Sequence, residues 1–222
     1  MIRIHKGKEP AAWVEHRNTP GAAYDGSRGV GPSPEAMRAL REALASEQGF
    51  LCCYCMQRIQ PPDMKVEHFV AQSLERDSTL DYANLLACCR GGEGNRRSEQ
   101  HCDTHRGNQP LTYNPAKESP DVESRYAYGS DGLMTSHDAR ASQDIVVLNL
   151  NLGRLKDNRR AVIDALVEWA NKASGRPRFE AKLKEEEERE PLHVEGMTEN
   201  ERALGEFLGV TRYWLRRHAR RP

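Results

Sequence analysis

The chain has 222 residues, 37% of them hydrophobic, a mean hydropathy of −0.80, and 33 basic against 33 acidic side chains. A formal charge of zero excludes the global positive field of a passive DNA-coating protein. The opening MIRIHKGKEP lacks an apolar signal-peptide core and no stretch approaches membrane-span length, so a cytoplasmic protein with no membrane association is expected.

Residues 1–32 read as a short extended start and a loop rich in glycine and serine (Gly21, Gly26, Ser27, Gly29, Gly31). Ser33-Pro34-Glu35 predicts a helix start, with Met37, Leu40, Ala43 and Leu44 on one face and Gly49 as the stop. Short strands are expected at Met64–Val70 and Leu85–Cys89, then a polar loop at 91–97 and a short helix from Cys102. Tyr126 to Leu133 carries Asp131-Gly132 and predicts a hairpin. Leu152, Leu155, Arg159, Val162, Ile163, Leu166 and Trp169 repeat at near-helical spacing up to Gly175. A charged helix over Phe179–Glu190 follows. Thr198-Glu199-Asn200-Glu201 has capping-box spacing for a last helix through Phe207, Leu208, Trp214 and Leu215. The fold class is α+β and mostly helical, divided as 1–141, with a site at 50–110, and a helical region at 142–222.

All six cysteines fall between 52 and 102, too narrow a window to staple the whole chain by disulfides, and clustered thiols of a reducing compartment more often bind metal. Cys52-x-x-Cys55 forms one knuckle. The second pairs Cys102 with Cys88 or Cys89, with Cys89 preferred because it follows Asn84 by five residues, where a strand carries it toward the metal. Four sulfurs with no open position form a structural Zn²⁺ site, which replaces part of a thin apolar core. His101, next to Cys102, is the rival ligand, and Cys53 is the spare thiol.

Glu67-His68 lies between the knuckles. A neutral imidazole can take a proton from water to make the nucleophile for a phosphodiester, and a neighbouring carboxylate can hold a hard cation. Adjacent side chains on a strand point to opposite faces, so the backbone must bend there or Glu67 must act through its neighbours. Asn84 is placed to orient the His68 ring or to help position the metal.

These residues, from CCYC through EH and NLLACC to HCDTHRG, resemble the HNH endonuclease superfamily, the ββα-metal nucleases. The resemblance implies a zinc-stabilised ββα core with flanking helices. It implies His68 as general base, Asn84 as its support, and a third position after the last cysteine. That third position is usually Asn or His in a C-N-x-x-K-G context; here Cys102-Asp103-Thr104-His105-Arg106-Gly107 puts Asp103 there and Arg106 in place of Lys. Either Asp103 or His105 then completes the site, with Glu67, around Mg²⁺ or Mn²⁺.

MIRIHKGKEP, Cys-x-Tyr-Cys, Tyr-Ala-Tyr-Gly with Asp-Gly, and the run Leu148-Asn149-Leu150-Asn151 with Leu155 and Arg159 are similar to the PtuB-type HNH proteins of bacterial Septu antiphage systems, also found as retron effectors. This implies an effector nuclease acting on nucleic acid, DNA more than RNA, beside a PtuA-like ABC-type ATPase. The chain has no phosphate-binding GxxxxGK[ST] loop of its own. The helical region after Ile145, through positions such as Trp214 and Leu215, is the expected docking face for that ATPase; otherwise these helices only cover the nuclease core. The alternative is a catalytically degenerate zinc-knuckle module that binds nucleic acid or protein. Arg212, Arg216, Arg217, Arg220 and Arg221 either track phosphates or cap a solvated helix end. Trp13, Trp169 and Trp214 read as packing residues, with room for one of them at a partner surface.

Overall fold

The computed structural model describes residues 1–26, 29–72, 78–117, 120–172, 176–189 and 203–219. Among these, helices α1 (Ala11–Arg17) and α2 (Pro34–Glu47) precede a two-stranded antiparallel sheet of β1 (Lys65–His68) and β2 (Leu85–Cys88). The short α3 (Cys102–Arg106), a second hairpin of β3 (Ala127–Tyr128) and β4 (Met134–Thr135), and helices α4 (Ala139–Val147), α5 (Gly153–Lys172), α6 (Arg176–Glu188) and α7 (Leu208–Ala219) follow. The protein is thus α+β and about half helical. No helix among the described residues is long and apolar enough to cross a membrane.

Helix α2 forms as its sequence dictates. Ser33 Oγ accepts from the Ala36 amide at 3.1 Å, Pro34 occupies the first turn, and Leu40 and Leu44 are fully buried. Gly49 ends it at φ +58°, where a Cβ would lie 2.3 Å from Leu204. Helix α2 packs on β2, all four residues of which are buried. The Gln48 side chain closes the free edge of β2: its amide nitrogen donates to the Ala87 carbonyl and its oxygen accepts from the Ala87 amide, both at 2.8 Å. Lys6 Nζ donates to the Leu85 carbonyl at 2.9 Å and ties the N-terminal segment to the same strand.

The second hairpin turns on Gly132, at φ +78°, with Asp131 Oδ1 accepting from the Leu133 amide at 3.0 Å. Buried Arg159 on α5 reaches under this turn. Its Nε donates to Gly132 O at 2.7 Å and its Nη2 to Leu150 O at 2.9 Å and Asn151 Oδ1 at 3.2 Å. Helices α5, α6 and α7 join through Trp169, Phe179 and Trp214, and Trp214 stacks on His218 at 3.8 Å.

The division at 141/142 falls inside α4, where Ala141 is fully buried, and one hydrophobic cluster runs from Met1 to Leu215. The N-terminal and C-terminal stretches therefore share a core, because α7 fills the groove beside Met1, Ile2 and Met56, where Gly209 makes close contact. Trp214 and Leu215 are buried in that core and offer no exposed docking face. The Thr198–Glu201 capping box, Ser27, Arg220 and Arg221 lie outside the described residues.

Arg159→Ala leaves the Gly132 and Leu150 carbonyls without their buried donor, at about 1–3 kcal/mol for each such group. The expected outcome is roughly 3 kcal/mol lost in urea unfolding with zinc content unchanged; an unmoved midpoint would show that the hairpin does not depend on this side chain.

Candidate metal centre and catalytic cleft

The cysteine cluster is assembled by two short turns and the start of α3. After α2, the Cys52 amide donates to Gln57 O at 2.9 Å and the Met56 amide to Cys52 O at 3.0 Å, folding Cys52 to Cys55 into a knuckle with Met56 at φ +63°. At the end of β2 the chain reverses through Gly91, at φ +57°, where a Cβ would lie 2.1 Å from the His101 carbonyl oxygen. That close passage brings Cys89 beside Cys102, which opens α3.

Sγ atoms of Cys52, Cys55, Cys89 and Cys102 all lie within 4.8 Å of one another. The Cys52–Cys102 and Cys55–Cys89 separations are both 3.8 Å. Disulfides require sulfurs near 2.05 Å apart, and all six cysteines are free. A tetrahedral site with bonds of about 2.3 Å has sulfur–sulfur edges of about 3.8 Å, so this cluster fits a zinc ion. A hydrogen bond from Cys102 draws Cys89 down to about 3, whereas burial pushes Cys55 and Cys102 well up. Four packed sulfurs share protons unless a cation compensates their charge.

His101, the rival ligand, stands at the edge of the cluster, with Nδ1 3.1 Å from Cys102 Sγ and 3.9 Å from Cys89 Sγ. In that place it can donate to the sulfurs and orient them. Cys88 and Cys53 form a separate buried group with Cys52.

The strand–strand–helix unit carries a second cluster. Glu67, His68 and Asp103 line one open polar cleft of about 320 Å³, together with Gln72 and Asn108. Glu67 and His68 serve the same cleft because β1 ends at His68 and the chain turns away. Asp103 Oδ2 pairs with Lys65 Nζ at 2.8 Å. Burial pushes the Glu67 carboxyl up to about 8, with the adjacent Asp103 adding to the rise and Arg106 opposing it. Burial also pushes Asp103 up, but hydrogen bonds from Glu67 and Lys65 outweigh it and hold Asp103 below the usual carboxylate range. The pair thus holds its charge unequally: Asp103 is firmly ionised, and Glu67, ion-paired to Arg106, is the more basic carboxylate of the two.

The ring of His68 is set by its neighbours. Its Nε2 lies 3.0 Å from the Thr79 carbonyl, which can only accept, so Nε2 carries the proton. Nδ1 is then the bare nitrogen, and the Gln72 amide donates to it at 3.3 Å. Tyr24 meets the ring edge-on, centroids 4.5 Å apart. Burial lowers the basicity of His68, so the ring is neutral at pH 7.

Asn84 and His105 both stand away from the His68 ring. Asn84 bonds backbone rather than the His68 ring: its Oδ1 accepts from the Val70 amide at 2.8 Å, and its Nδ2 donates to Val70 O and Ser78 O at 3.1 Å. It ties Val70 to Ser78, the neighbours of Gln72 and Thr79, and so acts on His68 through backbone. His105 does not line the cleft; its Nδ1 lies 2.9 Å from the Val147 carbonyl at the end of α4. Two positions apart on a helix point about 200° apart, so Asp103 and His105 cannot face one site.

Arg106 is legible in the sequence only as a departure from Lys. It is fully buried, forms an ion pair with Glu67, and donates to His68 O at 3.2 Å and Phe69 O at 2.6 Å. Tyr54 donates to Glu67 Oε1 at 2.7 Å. No pattern of spacing marks these two residues, since their roles depend on α3 crossing the end of β1. No protein-family model and no curated protein matches the chain.

Cys52→Ser is expected to abolish zinc retention and lower the melting temperature together, since ligand loss removes folding free energy. Cys89→Ser should do the same, whereas Cys88→Ser should keep the metal. Equal zinc content in all three proteins, measured by mass spectrometry, would remove this ligand set.

Proposed function

We propose that the protein is a metal-dependent nuclease of the HNH type, hydrolysing phosphodiesters of nucleic acid, DNA more than RNA on the resemblance alone. The observation that carries this reading is the convergence of a neutral, tautomer-fixed His68 with the Glu67–Asp103 carboxyl pair in one open cleft. Nδ1 of His68 is the proton acceptor, and Gln72 Nε2 marks the position from which an attacking water would be deprotonated. Thr79 O holds the opposite nitrogen and fixes the ring. Asn84 holds Val70 and Ser78, beside Gln72 and Thr79.

Asp103 and Glu67 fit a Mg²⁺ or Mn²⁺ site of the kind that uses one or two carboxylates, with waters and substrate phosphate completing the shell. When bound, such an ion supplies charge stabilisation for the leaving oxygen and the crowded phosphorus. Arg106 keeps Glu67 turned toward this cleft by holding Oε1 and the two carbonyls that follow. The zinc site does no chemistry in this reading; it fixes α3 against β1 and β2.

The Septu resemblance extends the proposal to an antiphage effector working with an ABC-type ATPase, and the buried state of Trp214 and Leu215 moves any docking face elsewhere. A second reading is favoured by one observation. Lys65 already pairs with Asp103 and Arg106 with Glu67, so both carboxylates are neutralised from within, as in a non-catalytic zinc-knuckle binding module.

His68→Ala should leave zinc content intact and reduce plasmid cleavage by about two to four orders of magnitude. Cleavage near the wild-type rate would place the active site elsewhere. In parallel Mg²⁺ titrations Asp103→Ala should raise the ion concentration needed for half-maximal rate, and His105→Ala should not. The reverse ranking would exchange their roles, and no cleavage with any ion would favour the binding module.

A further inference from the structure

The net charge of zero conceals a local separation of sign. The N-terminal segment, the stretch from Glu123 to Ala127, Ser136-His137 and α7 enclose an open cleft of about 740 Å³. Five arginines line it, Arg3, Arg125, Arg212, Arg216 and Arg217, against one carboxylate, Glu123. Glu123 is 10% exposed and grips Arg212 at 2.7 Å and Arg216 at 3.0 Å. Arg212 is committed within the fold, since Nε and Nη2 also donate to the Glu186 and Arg189 carbonyls. Arg216 further pairs with Glu187, and Arg125 with Asp138. Setting those three carboxylates against the five guanidiniums still leaves an excess of two positive charges. Arg3 and Arg217 carry it: both are exposed and neither has an ion-pair partner among the described residues.

We infer that this cleft binds the phosphate backbone of nucleic acid, outside the His68 cleft. The inference builds on the nuclease reading, which requires a polyanionic substrate. Guanidiniums in excess over carboxylates, two of them oriented by a buried partner, suit phosphate oxygens. The cleft is open and far larger than one phosphate, and it exposes both polar and apolar wall, with Tyr213 beside Arg217. A free nucleotide would be expected in a pocket that encloses most of its surface. A backbone tracking an arginine-lined groove needs no such enclosure.

The test uses full-length, zinc-loaded protein carrying His68→Ala, so that binding is read without cleavage. Anisotropy of a labelled oligonucleotide of about 20 nucleotides, single-stranded and duplex, is followed over a salt titration, with ATP and poly-glutamate as competing ligands. Adding Arg3→Glu and Arg217→Glu should raise Kd about tenfold or more at low salt and reduce the slope of log affinity against log salt by about two. The same charge change at exposed Arg160 and Lys172 on α5 should have little effect. Binding that is equally tight and equally salt-dependent in the Arg3→Glu/Arg217→Glu protein would overturn the proposal. So would tighter binding of ATP or poly-glutamate with the same arginine dependence. Hydrolysis of bis(para-nitrophenyl) phosphate, measured on the His68-containing chain with and without the two arginine changes, separates the two readings. A small diester that is cut equally by both, with oligonucleotide binding lost only in the variant, supports both. Arginine-dependent binding in a chain that cuts nothing leaves the cleft standing and removes the nuclease reading.

Discussion

Everything in the middle of this protein depends on four sulfur atoms meeting at van der Waals distance in a buried place. They come from the knuckle after α2, the end of β2 and the first residue of α3, three segments with little other reason to converge. Cys102 fixes where α3 begins. Asp103 therefore follows into the cleft, and Arg106, one turn later, lands against the end of β1. Cys52, Cys55 and Cys102 belong to the hydrophobic cluster and Cys89 packs against it, so thiolate charge there is costly to leave without a cation. The sulfur cluster and the cleft lined by Glu67, His68 and Asp103 are one mechanical unit seen from two sides.

The cleft is governed by a buried charge balance. Glu67 has Arg106 and Tyr54 on one side and Asp103 on the other. Removing one member of such a group leaves its partner unpaired in a low-dielectric site, so its arrangement is narrowly specified. That specification keeps two carboxyl groups side by side at an open surface, with Lys65 at its rim. The same arrangement can hold a cation between the carboxyls or serve as a closed ion-pair network. Which of these prevails decides between the two proposed readings.

Local features are legible in the sequence, and those that arise from crossing elements are not. Ser33-Pro34 and Gly49 bound α2 because capping and positive φ are properties of single residues. Asp131-Gly132 marks its hairpin for the same reason. The cysteine spacing leads to the set that the fold brings together. Period and spacing cannot reveal that Asn84 faces backbone, that His105 turns to α4, or that Arg106 and Tyr54 surround Glu67. Nor can they show that α7 closes onto the N-terminal residues, which hides Trp214 and cancels part of the arginine run through Glu123. Long-range packing decides each of these, and no residue near them in sequence encodes it.

The most direct test of the central claim is zinc-edge X-ray absorption on protein purified under reducing conditions. Four sulfur ligands at about 2.3 Å, with no nitrogen or oxygen bound to the ion, is the result this account requires. Three sulfurs and one nitrogen would bring His101 into the ligand set, and protein that folds and melts identically without zinc would contradict the dependence of the cleft on the sulfur cluster.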